Sequence, residues 1–152
     1  MSFNANIGAL FLAITFFVFG AFGQDEEASF REPLFFSDLD KDQRTPQAVR
    51  VGGVVFVSAL DAPGGTLEEQ LRTIYIRLQS VLGNYGMRMG DVAQERIYLK
   101  KGASYDAATA ARQIVYKEGA GPALTIVEVA GFENAGTLVE IELIAVANPE
   151  VD

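Results

Sequence analysis

The chain has 152 residues, of which 49% are hydrophobic, and this suits one compact domain with its own core. It contains no Cys and no His, which removes disulfides, thiolate metal sites, a Cys nucleophile, the commonest metal ligand and the usual general base near neutral pH. The formal net charge is −8, the pI is about 4.5, and the longest basic cluster is Lys100-Lys101. This argues against nucleic acid as a partner, because phosphate binding rests on clustered Lys and Arg.

The segment "IGALFLAITFFVFGAFG", residues 7–23, carries no charged side chain. It is shorter than the roughly 20 residues that a spanning helix needs. It ends in Ala21-Phe22-Gly23, and Gln24-Asp25-Glu26-Glu27 follow. That pattern predicts a signal peptide over residues 1–23 with cleavage after Gly23, and hence an exported, periplasmic or secreted protein. The start, "MSFNAN", lacks Lys and Arg, so an uncleaved membrane anchor is the alternative, and that segment is the chain's one route to a membrane.

Residues 24–44 read as an N-terminal extension ahead of the domain at 45–152. Its first residues are polar and acidic, "PLFF" offers an edge strand or a packing clip, and "SDLDKDQRTP" reads as loop. "QAVRVGGVVFVS", residues 47–58, predicts a β-hairpin turning at Gly52-Gly53. In "TLEEQLRTIYIRLQSVLGNYG", Thr66 and Glu69 form a capping-box pattern, and Leu67, Leu71, Ile74, Leu78 and Leu82 make one apolar helical face. "DVAQERIYLKK" reads as a strand that places Ala93, Glu95, Ile97 and Leu99 on one side. "SYDAATAARQIVYKEG" is a second helix with Ser104 as N-cap. "PALTIVEVA" and "TLVEIELIAVAN" are the last two strands. The order, (β)ββαβαββ, predicts an α+β domain whose two helices cover one face of a mixed sheet.

Two features of the last strands ask for an explanation. Glu128, Glu140 and Glu142 stand inside runs of Val, Ile and Leu, and buried carboxylates are costly unless paired. The last strand also offers apolar residues on both sides, with Leu138, Ile144 and Val146 on one and Val139, Ile141, Leu143 and Ala145 on the other. In a two-layer domain the uncovered side implies a partner surface, and self-association is the economical answer.

The stretches "QAVRVGGVVFVS", "EEQLRTIYIRLQSVLGNYGMRMGDVAQERIYLKK" and "PALTIVEVAGFENAGTLVEIELIAV" resemble the RidA/YjgF family of reactive-intermediate deaminases over residues 45–147. The resemblance implies a chorismate-mutase-like α+β fold and a homotrimer with ligand clefts between subunits. It also implies hydrolysis of enamines and imines such as 2-aminoacrylate, without a cofactor. Catalytic members grip the substrate carboxylate with the Arg of a Pro-Ala-Arg step, a fork that suits a carboxylate. Here that step reads Pro122-Ala123-Leu124, the family's Cys two residues on is Ile126, its cleft Tyr falls at Thr45 and its cleft Asn near Thr109. The "KEGAG" loop before Pro122 is shorter than the family's. Ser58 and Glu140 match; Glu140 holds the position of the water-orienting acid.

The resemblance therefore implies a ligand cleft at Ser58, Thr109, Leu124, Ile126 and Glu140, with Glu140 as its acid. Glu128 and Glu142 read as exposed or interface acids of the sheet. Ser58 serves equally as a backbone-bonding strand-end residue, Thr109 reads as an ordinary helix residue, and Tyr98 and Tyr105 read as packing residues, with the mouth of the cleft as their alternative place. Arg50, Arg96, Lys100 and Arg112 are the local candidates to replace the lost Arg, each reading rather as a solvated charge. No carboxylate spacing matches a metal-binding loop. Three functions follow: a small-molecule binder that lacks the standard deaminase reaction, an imine hydrolase with a different substrate anchor, or a non-catalytic, holdase-like trimer.

Overall fold

Arg31–Leu34 opens the fold as β1, pairing antiparallel with β2 (Ala48–Val51). The structure is a computed structural model that describes residues 30–117 and 119–148, so the 1–23 segment lies outside the described residues. Between β1 and β2 the stretch read as loop holds a short helix, α1 (Asp38–Gln43). Ser37 caps it: its hydroxyl accepts from the Asp40 N–H at 3.2 Å, and the Asp40 carboxylate accepts from the Ser37 N–H at 2.9 Å. That is a capping box with Asp in place of the usual Glu or Gln. Both elements lie inside the 24–44 segment, whose described part is thus woven into the sheet.

Gly52, at φ +58°, turns β2 into β3 (Val54–Leu60). Helix α2 (Leu67–Gly83) follows with the expected Thr66–Glu69 capping box. Its predicted ladder, Leu67, Leu71, Ile74, Leu78 and Leu82, is buried throughout, and each fully buried Leu or Ile contributes roughly 1.5–3 kcal/mol of burial. A 3-10 turn at Met89–Asp91 leads into β4 (Val92–Lys100). Ser104 caps α3 (Tyr105–Val115), which crosses over to β5 (Ala123–Val129); β6 (Val139–Val146) returns through the middle of the sheet.

The result is a six-stranded mixed sheet in the order β1-β2-β3-β6-β4-β5, with β4 and β5 its parallel pair. This is the α+β architecture expected from the sequence. Val139, Ile141, Leu143 and Ala145 of β6 meet the α2 ladder and Ala108 of α3 in one apolar core. A register shift lies between Val92 and Gln94. It buries Val92 and exposes Ala93, so Ala93 does not share the face of Glu95, Ile97 and Leu99 as the simple alternation had it.

The opposite face is open. Strand pairing puts Phe56, Arg96, Tyr98, Thr125, Val127, Glu140, Glu142 and Ile144 there. Phe56, Val127 and Val146 remain exposed on it at 47%, 37% and 45%. Among the described residues no helix is long and apolar enough to cross a membrane.

Candidate functional site

Glu140 stands near the start of β6, half-buried, with Tyr98 of β4 opposite it. On its other side, β3 carries a bulge: Val57 pairs with Leu143 but Leu60 with Ile141, so one extra residue is inserted. Asp61 follows directly on Leu60, which pairs with Ile141, and its charge is felt at Glu140. Burial, and after it the negative charge of Asp61, push the Glu140 carboxyl above the usual glutamate range. Among the described residues, none donates a hydrogen bond to Glu140. Asp61 is held firmly, its Oδ2 accepting from the buried Thr137 hydroxyl at 3.0 Å and its backbone carbonyl accepting from Arg77.

Ser58 sits on the bulge, between two shallow depressions. One, of about 410 Å³, is lined by Thr45, Val49, Phe56, Ser58, Glu142 and Ile144 among others. The other, of about 440 Å³, runs past Thr45 and Ser58 to Asp61 and Arg77. Glu140 lines neither. The Ser58 hydroxyl donates to the Pro46 carbonyl at 3.1 Å, and its N–H to the Gln47 carbonyl at 2.9 Å, so here it does the backbone work that was one of its two readings.

Further along the open face Glu142 accepts from Arg96 and, at 3.2 Å, from the Tyr98 hydroxyl. Lys100 donates to the Ala135 carbonyl at 3.1 Å. Arg96 thus has an internal partner while remaining partly exposed, and Tyr98 is a hydrogen-bonding residue rather than a packing one. Tyr105 is 57% exposed and so does not pack in the core either.

On the helix-covered face lies a second polar system that is almost wholly enclosed. Glu95 has 0% exposure. Its Oε2 accepts from Arg112 Nε of α3 at 2.6 Å, and its Oε1 from the Tyr75 hydroxyl of α2 at 2.9 Å. Arg112 Nη2 reaches on to the Pro122 carbonyl at 2.6 Å, and its guanidinium lies 5.1 Å from the Tyr116 ring centre. The Tyr116 hydroxyl is buried beside them without a hydrogen bond of good geometry. Burial pushes the Glu95 carboxyl up, and its bonds to Tyr75 and Arg112 pull it part of the way back. Burial, reinforced by Glu95, likewise keeps the Tyr75 and Tyr116 hydroxyls protonated. Arg112, expected as a solvated charge, is therefore the counter-ion of a buried acid.

The sequence matches the family model described as endoribonuclease L-PSP over residues 40–147. The chain belongs to that family. Its solved relatives carry the family names YjgF and RidA. A YjgF-family protein from Mycobacterium tuberculosis is 26% identical with a TM-score of 0.71, over 77% of this chain and 99% of that one. A YjgF-family protein from Neisseria meningitidis shares the fold at 23% identity and a TM-score of 0.69, over 78% and 95%. RidA from an Antarctic Psychrobacter shares it at 21% identity and a TM-score of 0.63, over 67% and 87%. No curated protein matches the sequence significantly.

In this YjgF/RidA chain the five cleft positions do not meet. Leu124 and Ile126 pair with Glu95 and Ile97 and pack against the core on the helix-covered side. Glu140 and Ser58 belong to the open side. Thr109 is in mid-α3, its hydroxyl turned back to the carbonyls of Tyr105 and Asp106 at 3.2 and 3.0 Å. Glu128 is exposed, as read from the sequence. Asp61 was passed over because "ALDAPGG" reads only as a strand break. Its one signal is an acid directly after an apolar strand.

Proposed function

We propose that the protein is an exported RidA-family trimer that binds a small metabolite in clefts between its subunits and lacks the 2-aminoacrylate deaminase reaction. The observation that carries this is the commitment of the nearby cations. Arg112 is bonded to buried Glu95, Arg96 to Glu142 and Lys100 to a backbone carbonyl, and position 124 is Leu. A carboxylate ligand at these positions would have to compete with Glu142 for Arg96 and with buried Glu95 for Arg112. A lone acid without a substrate anchor loses the positioning that catalysis needs.

The trimer is supported by the exposed apolar residues of the open face and by the division of the cleft positions. Leu124 and Ile126, on the edge strand β5, and Glu140, on the opposite face of central β6, can share a cleft only across a subunit boundary. Export is supported by the uncharged 7–23 run. The name of the family model raises RNA as a substrate; a net charge of −8 opposes that reading.

One observation favours a second reading, imine hydrolysis on an uncharged substrate. Glu140 keeps an acid that burial, and after it the charge of Asp61, raises above the usual glutamate range, the direction a general acid needs. The test is keto-acid release from 2-aminoacrylate generated in situ, with a parallel thermal-shift comparison of pyruvamide and pyruvate. The expected outcome is no release above background and the larger thermal shift with the uncharged amide. Clear turnover of 2-aminoacrylate would overturn the proposal.

A further inference from the structure

Arg50 lies toward the other end of the sheet from Glu140: it pairs with Val55, and Val55 with Ala145 near the end of β6. There the β2–β3 turn, the chain after α2 and the 3-10 turn surround a cavity of about 400 Å³, lined by Arg50, Gly52, Gly53, Gly86, Arg88 and Asp91 among others. None of its lining residues belongs to the depressions beside Ser58. Two guanidinium groups in it have donors to spare. Arg50 Nε donates to the Gly52 carbonyl at 3.2 Å, and Glu32 is 3.8 Å from the same nitrogen. That ion pair is solvent-exposed, and such pairs are worth little. The two terminal nitrogens of Arg50 make no hydrogen bond among the described residues, and the Arg88 guanidinium makes neither a hydrogen bond nor an ion pair there. Asp91, the one acid of the lining, is engaged: its Oδ2 accepts from the Arg88 N–H at 2.7 Å. The lining therefore carries two positive charges against one negative, on a chain of net charge −8. Gly52 and Gly86 stand at φ +58° and +71°, and a Cβ at either would meet nothing within 4 Å, so a ligand can approach the backbone between the two arginines.

We propose that this cavity is a separate binding site for a dianionic phosphate group, with Arg50 and Arg88 as its two anchors. One guanidinium fork already satisfies a carboxylate, whereas a phosphate offers oxygens to two forks and the charge to match both. Every lining residue comes from one chain, so the site needs no neighbouring copy. It is also independent of the Glu140 face and of the reading placed on that face.

The test is an amide NMR titration of the full chain with inorganic phosphate, glycerol 3-phosphate and acetate at constant ionic strength. Both phosphates should shift the Gly52, Gly53, Gly86 and Arg88 amides saturably, and acetate should bind at least about tenfold more weakly. Arg88→Gln removes a guanidinium that bonds to nothing else in the fold, and should weaken phosphate binding about tenfold. Arg50→Gln should weaken it by a similar factor. Lys41→Gln takes the same charge from a surface pair with Asp38, and should change the affinity by less than about twofold. Tighter binding of glycerol 3-phosphate identifies a phosphomonoester as the ligand class, and equal binding the free ion; both support the site. Shifts that grow without saturating, acetate binding as tight as phosphate, or equal effects of Arg88→Gln and Lys41→Gln overturn the proposal.

Discussion

Replacing Arg112 by Met should be among the most damaging single changes outside the apolar core. Glu95 is fully enclosed and the Arg112 side chain is 16% exposed, so the methionine fills much of the space but leaves a buried acid without its counter-ion. Breaking a buried pair from one side costs about 3–5 kcal/mol, a large part of the 5–15 kcal/mol that holds a typical domain folded. In urea unfolding this is a midpoint shift of about 2 M at an ordinary slope. The loss should depend on pH. Without the guanidinium the folded-state pKa of Glu95, already raised by burial, rises further. A group raised in the folded state binds more protons there than in the unfolded chain. Its contribution is therefore fully present below the unfolded value of about 4.5 and is lost as pH rises through the folded value. The deficit of Arg112→Met relative to wild type should thus stay constant at low pH and grow once pH passes the folded value of Glu95 in wild type, which itself lies above the ordinary glutamate range. At pH 4 it should shrink to about 1–2 kcal/mol, the worth of the lost Pro122 bond and ring contact. A deficit below about 1 kcal/mol at pH 7, or one that does not change between pH 4 and 7, would refute the view of Glu95 and Arg112 as a buried ion pair.

Leu71→Ala should destabilise the domain by about 2–5 kcal/mol in the same assay, since Leu71 is at 0% exposure under the sheet. Gln70→Met removes a buried clamp: the side-chain amide donates to the Gly64 and Gly136 carbonyls at 3.2 and 2.8 Å and accepts from the Leu138 N–H at 2.9 Å. About 3 kcal/mol should be lost, with faster hydrogen exchange at the Leu138 amide. Ser58→Ala should cost only about 1 kcal/mol, because its hydroxyl serves the Pro46 carbonyl, and should leave any pyruvamide thermal shift intact. A vanished shift in Ser58→Ala would return the residue to the ligand-contacting set.

The regular parts of this fold were written in local patterns, and those were readable. The Leu67-to-Leu82 ladder, the Thr66–Glu69 box and the Ser104 cap each name a helix from a few residues, and strand alternation places most of β6. What failed was non-local or one residue wide. The bulge at Ala93 reverses the face of one side chain without altering composition. The short α1 hides behind an Asp where a capping box usually has Glu or Gln. Glu95 was visible on an apolar face, but its partners Tyr75 and Arg112 come from two different helices, and no spacing announces such a meeting. Asp61 was missed for the same reason, since nothing in the local sequence announces its bond to Thr137 or its effect on Glu140. Resemblance to the RidA family supplied the fold, while Arg96, Lys100 and Arg112, taken as solvated, each proved to have an internal partner.

The sheet separates two kinds of acid, and the separation bears on how the site is to be probed. Glu95 is bonded to a cation, buried and enclosed; Glu140 feels the charge of another acid, Asp61, and belongs to the uncovered face. Leu124 lies beside the first of these, through its pairing with Glu95. Restoring an arginine there does not simply add an anchor to an empty cleft. The new guanidinium would arrive next to Arg112 and compete for Glu95, and the side chain it replaces is packed against the core. A Leu124→Arg variant therefore reports two changes at once, a like-charge contact on the helix side and a cation at the edge strand. Only the second is exposed to a ligand, and it reaches Glu140 only if a neighbouring copy brings that acid to the same edge. Activity gained on this variant would thus require both an assembled protein and a redirected arginine. A variant monomer that folds and stays inactive would separate assembly from anchoring as the missing element.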